Sequence, residues 1–176
     1  MPNNEYPSAY LSYLVEFHAT RDYFECHELL EEYWKEHPGD GLGRIWVGLI
    51  QLAVGSYHQR RGNIPGALKM LRQSKNKITD AEASQIGVNG VKLREMLMSR
   101  LDDIERGEPF TDMEIPLEDE ALLQQCKQLC SMRGLIWNAP SSGEAALVHR
   151  HTLRDRSDVV AARAAAVIAR EEKKRL

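Results

Sequence analysis

Apolar residues recur every three or four positions through most of the chain, which is the spacing of one face of an α-helix. A first helix over about residues 7–19 has this pattern, carried by Tyr10, Leu11, Leu14 and Phe17. Asp22 is a suitable N-cap for a second helix over about 23–37, which ends at the breaker sequence "PGDG" (38–41). The pattern therefore predicts two consecutive helices joined by a tight turn.

The remaining breakers divide the chain into further helices. The third predicted helix, 42–61, ends at Gly62, and Asn63 caps the fourth, whose first turn contains Pro65. Further amphipathic patterns occupy 91–106 and 116–134. No stretch alternates apolar and polar residues for long enough to form a strand, so the predicted fold class is all-α.

Short connections favour antiparallel neighbours, so we expect a compact antiparallel helical bundle over residues 1–137. The stretch "NAPSSG" (138–143) has the composition of a linker. A basic C-terminal segment, 144–176, follows, and Ser157 is placed to cap an appended, alanine-rich C-terminal helix. That helix has too weak an apolar stripe to be stable alone, so we expect it to dock on the body or on a second subunit.

The charge is small overall but unevenly distributed. The chain is 43% hydrophobic, enough for a core, and its formal net charge is −3. Residues 144–176 hold eight Lys or Arg and five acidic residues, which leaves an acidic body and a basic tail. So small a basic excess, without interleaved aromatic residues, argues against nucleic acid as a partner.

The chain carries no pattern of a membrane or secreted protein. Its longest apolar run, "IWVGLIQLAVG", is broken by Gln51 and is far shorter than a bilayer-spanning helix. The first residues, "MPNNEYPSAY", have neither the basic nor the apolar region of a signal peptide. Three cysteines, an odd number, predict free thiols in a reducing compartment. We expect a cytoplasmic protein with no membrane partner.

The stretch "YFECHELLEEYW" (23–34) places an imidazole and a carboxylate one helical turn apart. On a helical wheel, His27 and Glu31 fall between Phe24 and Trp34, at the edge of the apolar face. The other acidic residues of this helix lie on the opposite, solvated side. Glu31 is therefore predicted to face inward, where a carboxylate needs a partner.

The third helix carries a matching polar stripe. It is apolar almost all round between 45 and 54, as expected of a central helix, and its exceptions are spaced by seven residues: Arg44, Gln51 and His58. Gly48 and Gly55 lie beside this stripe and would let another helix approach closely.

Folding the second helix back on the third brings the polar residues of both together. We predict that Glu31 and Arg44 form a charge pair, which Gln51, His27 and His58 extend through hydrogen bonds. We call these five residues the polar seam. Burial of a carboxylate requires this kind of mutual pairing.

The stretch "YFECHELLEEYW", followed by "GLIQLAVGSYHQRRGNIPGALKMLRQS", resembles the signature of the domain-of-unknown-function 309 family over about residues 10–78. Where that family often has Phe-Asn before the motif, this chain has Phe17-His18, and Val47-Gly48 replaces a frequent Gln-Gly. The resemblance implies an all-helical intracellular protein with a shared polar cluster. It implies no particular reaction. The positions that match are His27, Glu28, Glu31, Trp34, Arg44, Gly48, Gln51, His58, Gly62, Asn63, Gly66 and Ala67.

The polar seam has two interpretations. In the first it is a structural network that fixes helix register, and the protein is a binding or scaffolding protein. In the alternative it is the cleft of a small hydrolase, with His27 or Glu31 as general base and His58 as a second acid or base. Arg44, with Gln51 beside it, would then hold an anionic group.

Metal binding is the least favoured interpretation of the same residues. His27 and Glu31, with His58 from the next helix, have suitable ligand types. The order H-E-x-x-E, however, departs from the zinc-protease motif, and Arg44 would repel a cation. We therefore predict no metal and no cofactor.

The stretch "VHRHTLRDRSD" (148–158) is the second candidate site. Its arginines, Arg154 and Arg156 among them, precede the predicted last helix and suit a small anionic ligand or an acidic surface. If the tail folds back, it can reach the acidic body of its own or a second subunit. We expect self-association.

Overall fold

The computed structural model of the chain describes residues 5–149. Within that range every regular element is helical, and the β-bridge between Val88 and Leu117 is isolated. This confirms the all-α fold class, while the helix predicted from Ser157 lies outside the described residues. The elements are α1 (Ser8–Val15), a π-helical turn (Glu16–Thr20), α2 (Tyr23–Glu36), α3 (Gly43–Arg60), α4 (Ile64–Lys77), α5 (Asp80–Gln85), α6 (Gly90–Glu105), α7 (Glu120–Met132) and α8 (Ala145–Val148).

The predicted helix starts are confirmed at their caps. The Asp22 carboxylate accepts a hydrogen bond from the backbone N–H of Glu25 at 3.1 Å, and the Asn63 side chain accepts one from Gly66 at 3.2 Å. The first predicted helix differs, because it is α-helical only as far as Val15 and continues as a π-turn. The short helix α5 was not predicted, since six residues are too few to show a helical period.

Helix α3 is the centre of the bundle and packs against α2 on one side and α4 on the other. A Cβ atom on Gly55 would lie 2.6 Å from the Leu71 side chain of α4. The Ser74 hydroxyl donates to the Gly48 carbonyl at 2.6 Å. The predicted close approach at the two glycines is therefore confirmed, with α4 as the neighbour. Within residues 5–149, no helix has both the length and the apolar composition to cross a membrane.

Two buried tyrosines fix α1 against the rest of the core. The Tyr10 hydroxyl donates to the Ile86 carbonyl at 2.8 Å, and the Tyr13 hydroxyl donates to the Leu49 carbonyl at 2.7 Å. Both phenols are fully buried, so each needs such a partner. α1 is thereby held beside α3 and the end of α5.

The connection between α6 and α7, residues 107–119, lies across the bundle without forming a helix. Its Met113 and Ile115 side chains are buried. The Pro116 carbonyl accepts a hydrogen bond from Asn89 N–H at 2.9 Å, which ties the connection to the start of α6. This fixed connection forms one wall of the groove described below.

Candidate functional site

The chain changes helical geometry between α1 and α2. Residues Glu16–Thr20 form a π-helical turn, and Arg21 follows in the left-handed region with a φ of 58°. Both conformations are uncommon for non-glycine residues and occur often at functional sites. Here they direct two large polar side chains into the protein, because His18 and Arg21 are each only 1% exposed.

His18 ties this turn to the connection 107–119. Its Nδ1 donates to the Leu14 carbonyl at 2.7 Å, and its Nε2 accepts from the Ile115 N–H at 2.9 Å. The ring also stacks on Trp137, with 4.4 Å between ring centroids. Burial lowers the pKa of His18 to about 4, so the ring is neutral near pH 7. A neutral ring with both nitrogens bonded holds the backbone in place and is unavailable for proton transfer.

Arg21 ties the same turn to two segments. Its Nε donates to the Ala139 carbonyl and its Nη1 to the Met113 carbonyl, both at 2.9 Å. Its Nη2 lies 3.8 Å from the Glu114 carboxylate. Residues on either side of the groove are therefore held by one buried guanidinium.

Arg60, at the end of α3, adds a second anchor for the chain beyond residue 138. Its Nη1 donates to the Arg21 carbonyl at 2.8 Å and its Nη2 to the Leu147 carbonyl at 3.4 Å. The guanidinium lies over the Tyr23 ring, 4.5 Å from the centroid, in a cation–π contact. Arg60 thus places α8 beside the start of α2.

Asp112 completes this anchoring network. Its Oδ2 accepts the Ser141 N–H at 2.8 Å, its Oδ1 accepts the Ser141 hydroxyl, and the Tyr23 hydroxyl lies 3.5 Å away. Burial alone would raise the pKa of Asp112, but the bonds from Ser141 and the charges of Arg21 and Arg60 outweigh it and lower that pKa. The carboxylate therefore stays ionised near neutral pH.

Two of these anchors, His18 and Asp112, line an open groove with a volume of about 660 Å³. The groove lies between α6, the connection 107–119 and α7, and Trp137 also lines it. Its apolar lining includes Met96, Leu117, Leu123 and Trp137. Its charged lining consists of Lys92, Arg100, Lys127, Asp103, Asp112 and Glu114.

The acidic side chains of the groove are compensated by arginines outside it. Asp103 pairs with Arg106, and Glu114 lies 3.8 Å from Arg21. Neither arginine lines the groove. Because these carboxylates are already paired, they do little to offset the lysines that face the same space.

The two lysines of the groove differ from Arg100, which interacts electrostatically with Asp103 and Asp112. Within residues 5–149, neither the Lys92 nor the Lys127 ammonium group takes part in an ion pair, and both residues are exposed. Arg100 is 8% exposed and donates to two neutral groups, the side-chain Oε1 of Gln59 and the Thr111 hydroxyl, each at 3.0 Å. The lining therefore contains three cationic and three acidic side chains, and its two lysines form no ion pair within residues 5–149.

The two seam residues on α2 are brought together as the sequence predicts. His27 Nε2 lies 2.5 Å from the Glu31 carboxylate, and Lys35 Nζ lies 2.9 Å from its other oxygen. Burial alone would raise the pKa of Glu31, but Lys35 and His27 outweigh it and lower that pKa. Both seam side chains are about 30% exposed, so the pair lies at the surface.

The seam residues on α3 lie towards α4. Arg44 donates to the Asn76 carbonyl at 2.9 Å, and Gln51 Nε2 donates to the Gln73 side chain at 2.8 Å. His58 Nδ1 lies 3.3 Å from Asn63 at the start of α4. These contacts place the polar stripe of α3 along α4.

The predicted charge pair between Glu31 and Arg44 is therefore wrong. Glu31 pairs within its own helix, and Arg44 binds a carbonyl of α4. The physical reason is that the glycines beside the stripe bring α4 against this side of α3. The second predicted ligand site, Arg154 and Arg156, lies outside the described residues.

The described residues offer little other reactive chemistry. Cys26, Cys126 and Cys130 are free and buried, and burial raises the pKa of each thiol, to about 12 for Cys126. Within residues 5–149, no group of three or more His, Cys, Asp or Glu could hold a metal ion.

Comparison with known proteins places this architecture in a family. A family model for a domain of unknown function, DUF309, matches residues 10–70. The uncharacterised protein YpuF of Bacillus subtilis strain 168 is 45% identical over 159 residues, which cover 88% of this chain and 91% of that protein. The chain belongs to the DUF309 family. No solved structure matches it.

The DUF309 match covers three of the anchoring side chains and, of the groove lining, only His18. His18, Arg21 and Arg60 fall inside residues 10–70, whereas Lys92 and Lys127 lie beyond them. The matched residues therefore include the π-turn and helices α1, α2 and α3, whose side chains hold the groove walls. Apart from His18, the groove lining lies in the part of this DUF309 protein that follows the match.

Sequence reasoning missed the anchors of this DUF309 protein for identifiable reasons. His18 lies at the end of the first predicted helix and Arg21 in the connection after it, and nothing in the sequence marks these two polar side chains as buried. Arg100 lies on α6 among charged residues that suggest a solvated face. One signal in the sequence could have drawn attention to His18: this chain has Phe17-His18 where the family often has Phe-Asn.

Proposed function

We propose that this DUF309 protein is a binding protein that holds a small organic anion in the groove between α6 and α7. The observation that carries the proposal is that Lys92 and Lys127, which form no ion pair within residues 5–149, line a space of about 660 Å³ together with Arg100. This volume suits a small molecule. Cationic donors and apolar side chains, Trp137 among them, line the same space and suit a phosphate or carboxylate attached to an apolar or planar group.

Preorganisation supports binding as the role of the groove. Arg21 and His18 hold the connection 107–119 through backbone hydrogen bonds, so that wall does not have to be ordered when a ligand enters. Arg100 is oriented by Gln59 and Thr111 before any anion arrives. A guanidinium fixed in this way can engage a planar anion with little loss of side-chain entropy.

A non-enzymatic role is favoured over the hydrolase alternative. That alternative uses His27, Glu31 and His58, and the first two form a surface pair with Lys35 outside the groove. In the groove itself, both nitrogens of His18 are occupied by backbone groups. We infer that the pairs around the polar seam stabilise the helices, in keeping with a binding or scaffolding protein.

We also infer a cytoplasmic location and self-association. The free thiols of the described residues support a reducing compartment. Self-association is tested by the mass of the full chain in solution over a range of protein concentrations.

The anion-binding proposal is tested by NMR. The ¹⁵N-labelled full chain is titrated with inorganic phosphate, AMP and citrate at millimolar concentrations, and with choline as a cationic control. We expect saturable shifts of backbone amides in α6, residues 112–117 and α7 for at least one anion, and none for choline. Shifts confined to other surfaces, or no saturable shift with any of the three anions, would contradict the proposal.

A further inference from the structure

The central helix α3 leaves a surface between α2 and α4 that the described helices only partly cover. Residues of α3 on this side repeat at helical spacing and are partly exposed, and residues of α2 extend the surface. We call this surface the α2–α3 face. It consists of Phe24, His27, Glu28 and Glu31 from α2 and Val47, Gln51, Val54 and His58 from α3.

The α2–α3 face has an apolar centre and an acidic edge. Phe24 packs on Tyr57 with 5.8 Å between ring centroids and is still partly exposed, as is Val54. Glu28 and Glu31 border these side chains on α2. Such a surface suits an amphipathic helix that has an apolar stripe beside a row of cations.

An unsatisfied acceptor lies within the same face. The Oε1 atom of Gln51 is shielded from solvent and has no hydrogen-bond donor among the described residues, while its Nε2 donates to Gln73. A shielded acceptor without a donor costs free energy, which a donor on a covering segment would recover. The face is therefore suited to a cover that carries hydrogen-bond donors.

The described chain ends near the end of the bundle at which α2 begins and α3 ends. Arg60 lies over Tyr23, the first residue of α2, and donates to the Leu147 carbonyl at 3.4 Å. Residues 150–176 continue from there. As a helix they would be about 40 Å long, against about 21 Å for α2. The segment is thus long enough to cover the whole face from its point of departure.

The composition of residues 150–176 complements the face. They contain eight Lys or Arg and four acidic residues. Val160, Ala164 and Val167 follow helical spacing, and a row of arginines spaced by seven lies next to them: Arg156, Arg163 and Arg170. An apolar stripe beside a cationic stripe matches the apolar centre and the acidic edge.

We propose that residues 150–176 dock as an amphipathic helix on the α2–α3 face of the same chain. The apolar stripe packs on Phe24 and Val54, and the arginine row faces Glu28 and Glu31. The docked segment covers four of the five residues of the predicted polar seam, all except Arg44, and makes them part of an internal interface. The inference is independent of the anion-binding groove, which lies on α6 and α7.

Paramagnetic relaxation in the full chain tests this docking. A spin label is attached to Cys in the Ala165→Cys variant, and the unsubstituted chain, treated identically, controls for labelling of the three buried native cysteines. In the ¹⁵N-labelled variant we expect loss of amide signal in residues 24–31 and 47–58. Glu28→Lys should restore much of that signal, whereas Glu95→Lys, on an exposed site of α6, should not.

A mixed sample separates docking within one chain from docking between two chains. Spin-labelled chain without ¹⁵N is mixed with ¹⁵N-labelled chain without a spin label. Intramolecular docking predicts no signal loss on the α2–α3 face in this mixture. Equal loss of amide signal on the α2–α3 face in the mixture would show that a second copy is the occupant. In the sample of the labelled variant alone, signal loss on another surface, or no signal loss at all, would also overturn the proposal.

Discussion

The imidazole of His18 accepts the backbone N–H of Ile115 at 2.9 Å, across 97 positions of sequence. The bond joins the π-turn after α1 to the connection before α7. It satisfies a buried backbone donor and so fixes one wall of the groove. A feature of the first helices of the chain therefore shapes a site formed by the last ones described.

Removing this ring should destabilise the protein. His18→Ala leaves the Ile115 N–H without an acceptor and opens a cavity beside Trp137, so we expect a loss of about 3 kcal/mol in the free energy of unfolding. His18→Asn retains a side-chain acceptor and should cost less. Urea unfolding of the two variants measures the difference, and equal costs would show that the hydrogen bond contributes little.

The same residue predicts a pH dependence of stability. The pKa of His18 is about 4 in the folded protein and about 6.5 when unfolded. Between these two pKa values only the unfolded state takes up the proton. The neutral His18 ring therefore stabilises the folded protein fully above about pH 6.5, and this stabilisation is lost as the pH falls towards 4. The loss should approach roughly 3 kcal/mol.

His18→Asn is the control for that pH dependence, because it removes the titrating group. Its free energy of unfolding should vary less than that of the unsubstituted chain between pH 6.5 and 4.5. The pKa values of Glu31 and Asp112 are also lowered in the folded protein, so their protonation also reduces the free energy of unfolding on acidification, but at lower pH. An unchanged pH dependence in the variant would contradict the assignment to His18.

The packing of α3 on α4 predicts a large difference between two glycine substitutions. Gly55→Ala places a methyl group 2.6 Å from Leu71 and should destabilise the protein by about 1–3 kcal/mol. Gly39→Ala, whose Cβ would meet nothing within 4 Å, should have little effect. Thermal unfolding compares the two, and similar melting temperatures would refute the close approach.

A double-mutant cycle tests the revised partners of Glu31. Glu31→Gln and Arg44→Gln should be additive, since the two side chains bind different groups. Glu31→Gln and Lys35→Gln should show a coupling of about 0.3–0.5 kcal/mol, as expected for a helical pair. A significant coupling between Glu31 and Arg44 would restore the pair predicted from the sequence.

Local rules were sufficient for much of the fold. Asp22 and Asn63 were identified as caps because side chains of these types accept hydrogen bonds from the free N–H groups in the first turn of a helix. Gly48 and Gly55 indicated a close helix contact because they remove side chains from one stripe. The helical wheel also placed His27 beside Glu31, since that relationship lies within a single helix.

The choice of neighbour for each face could not be predicted in the same way. The stripe that begins at Arg44 could face α2 or α4, and helical periodicity alone does not distinguish them. The π-turn shifts the chain out of α-helical register, so the burial of His18 and Arg21 follows from tertiary contacts with residues more than 90 positions away. The groove depends on those contacts and has no local signature.

The most direct test of the anion-binding groove is the affinity of the anion that shifts the groove amides, measured by titration calorimetry. The chain with Lys92→Gln and Lys127→Gln is compared with Lys69→Gln, which removes an exposed lysine from α4. We predict at least a tenfold loss of affinity, about 1.4 kcal/mol, for the double variant and no change for the control. Equal affinity in all three chains would contradict the groove as the binding site.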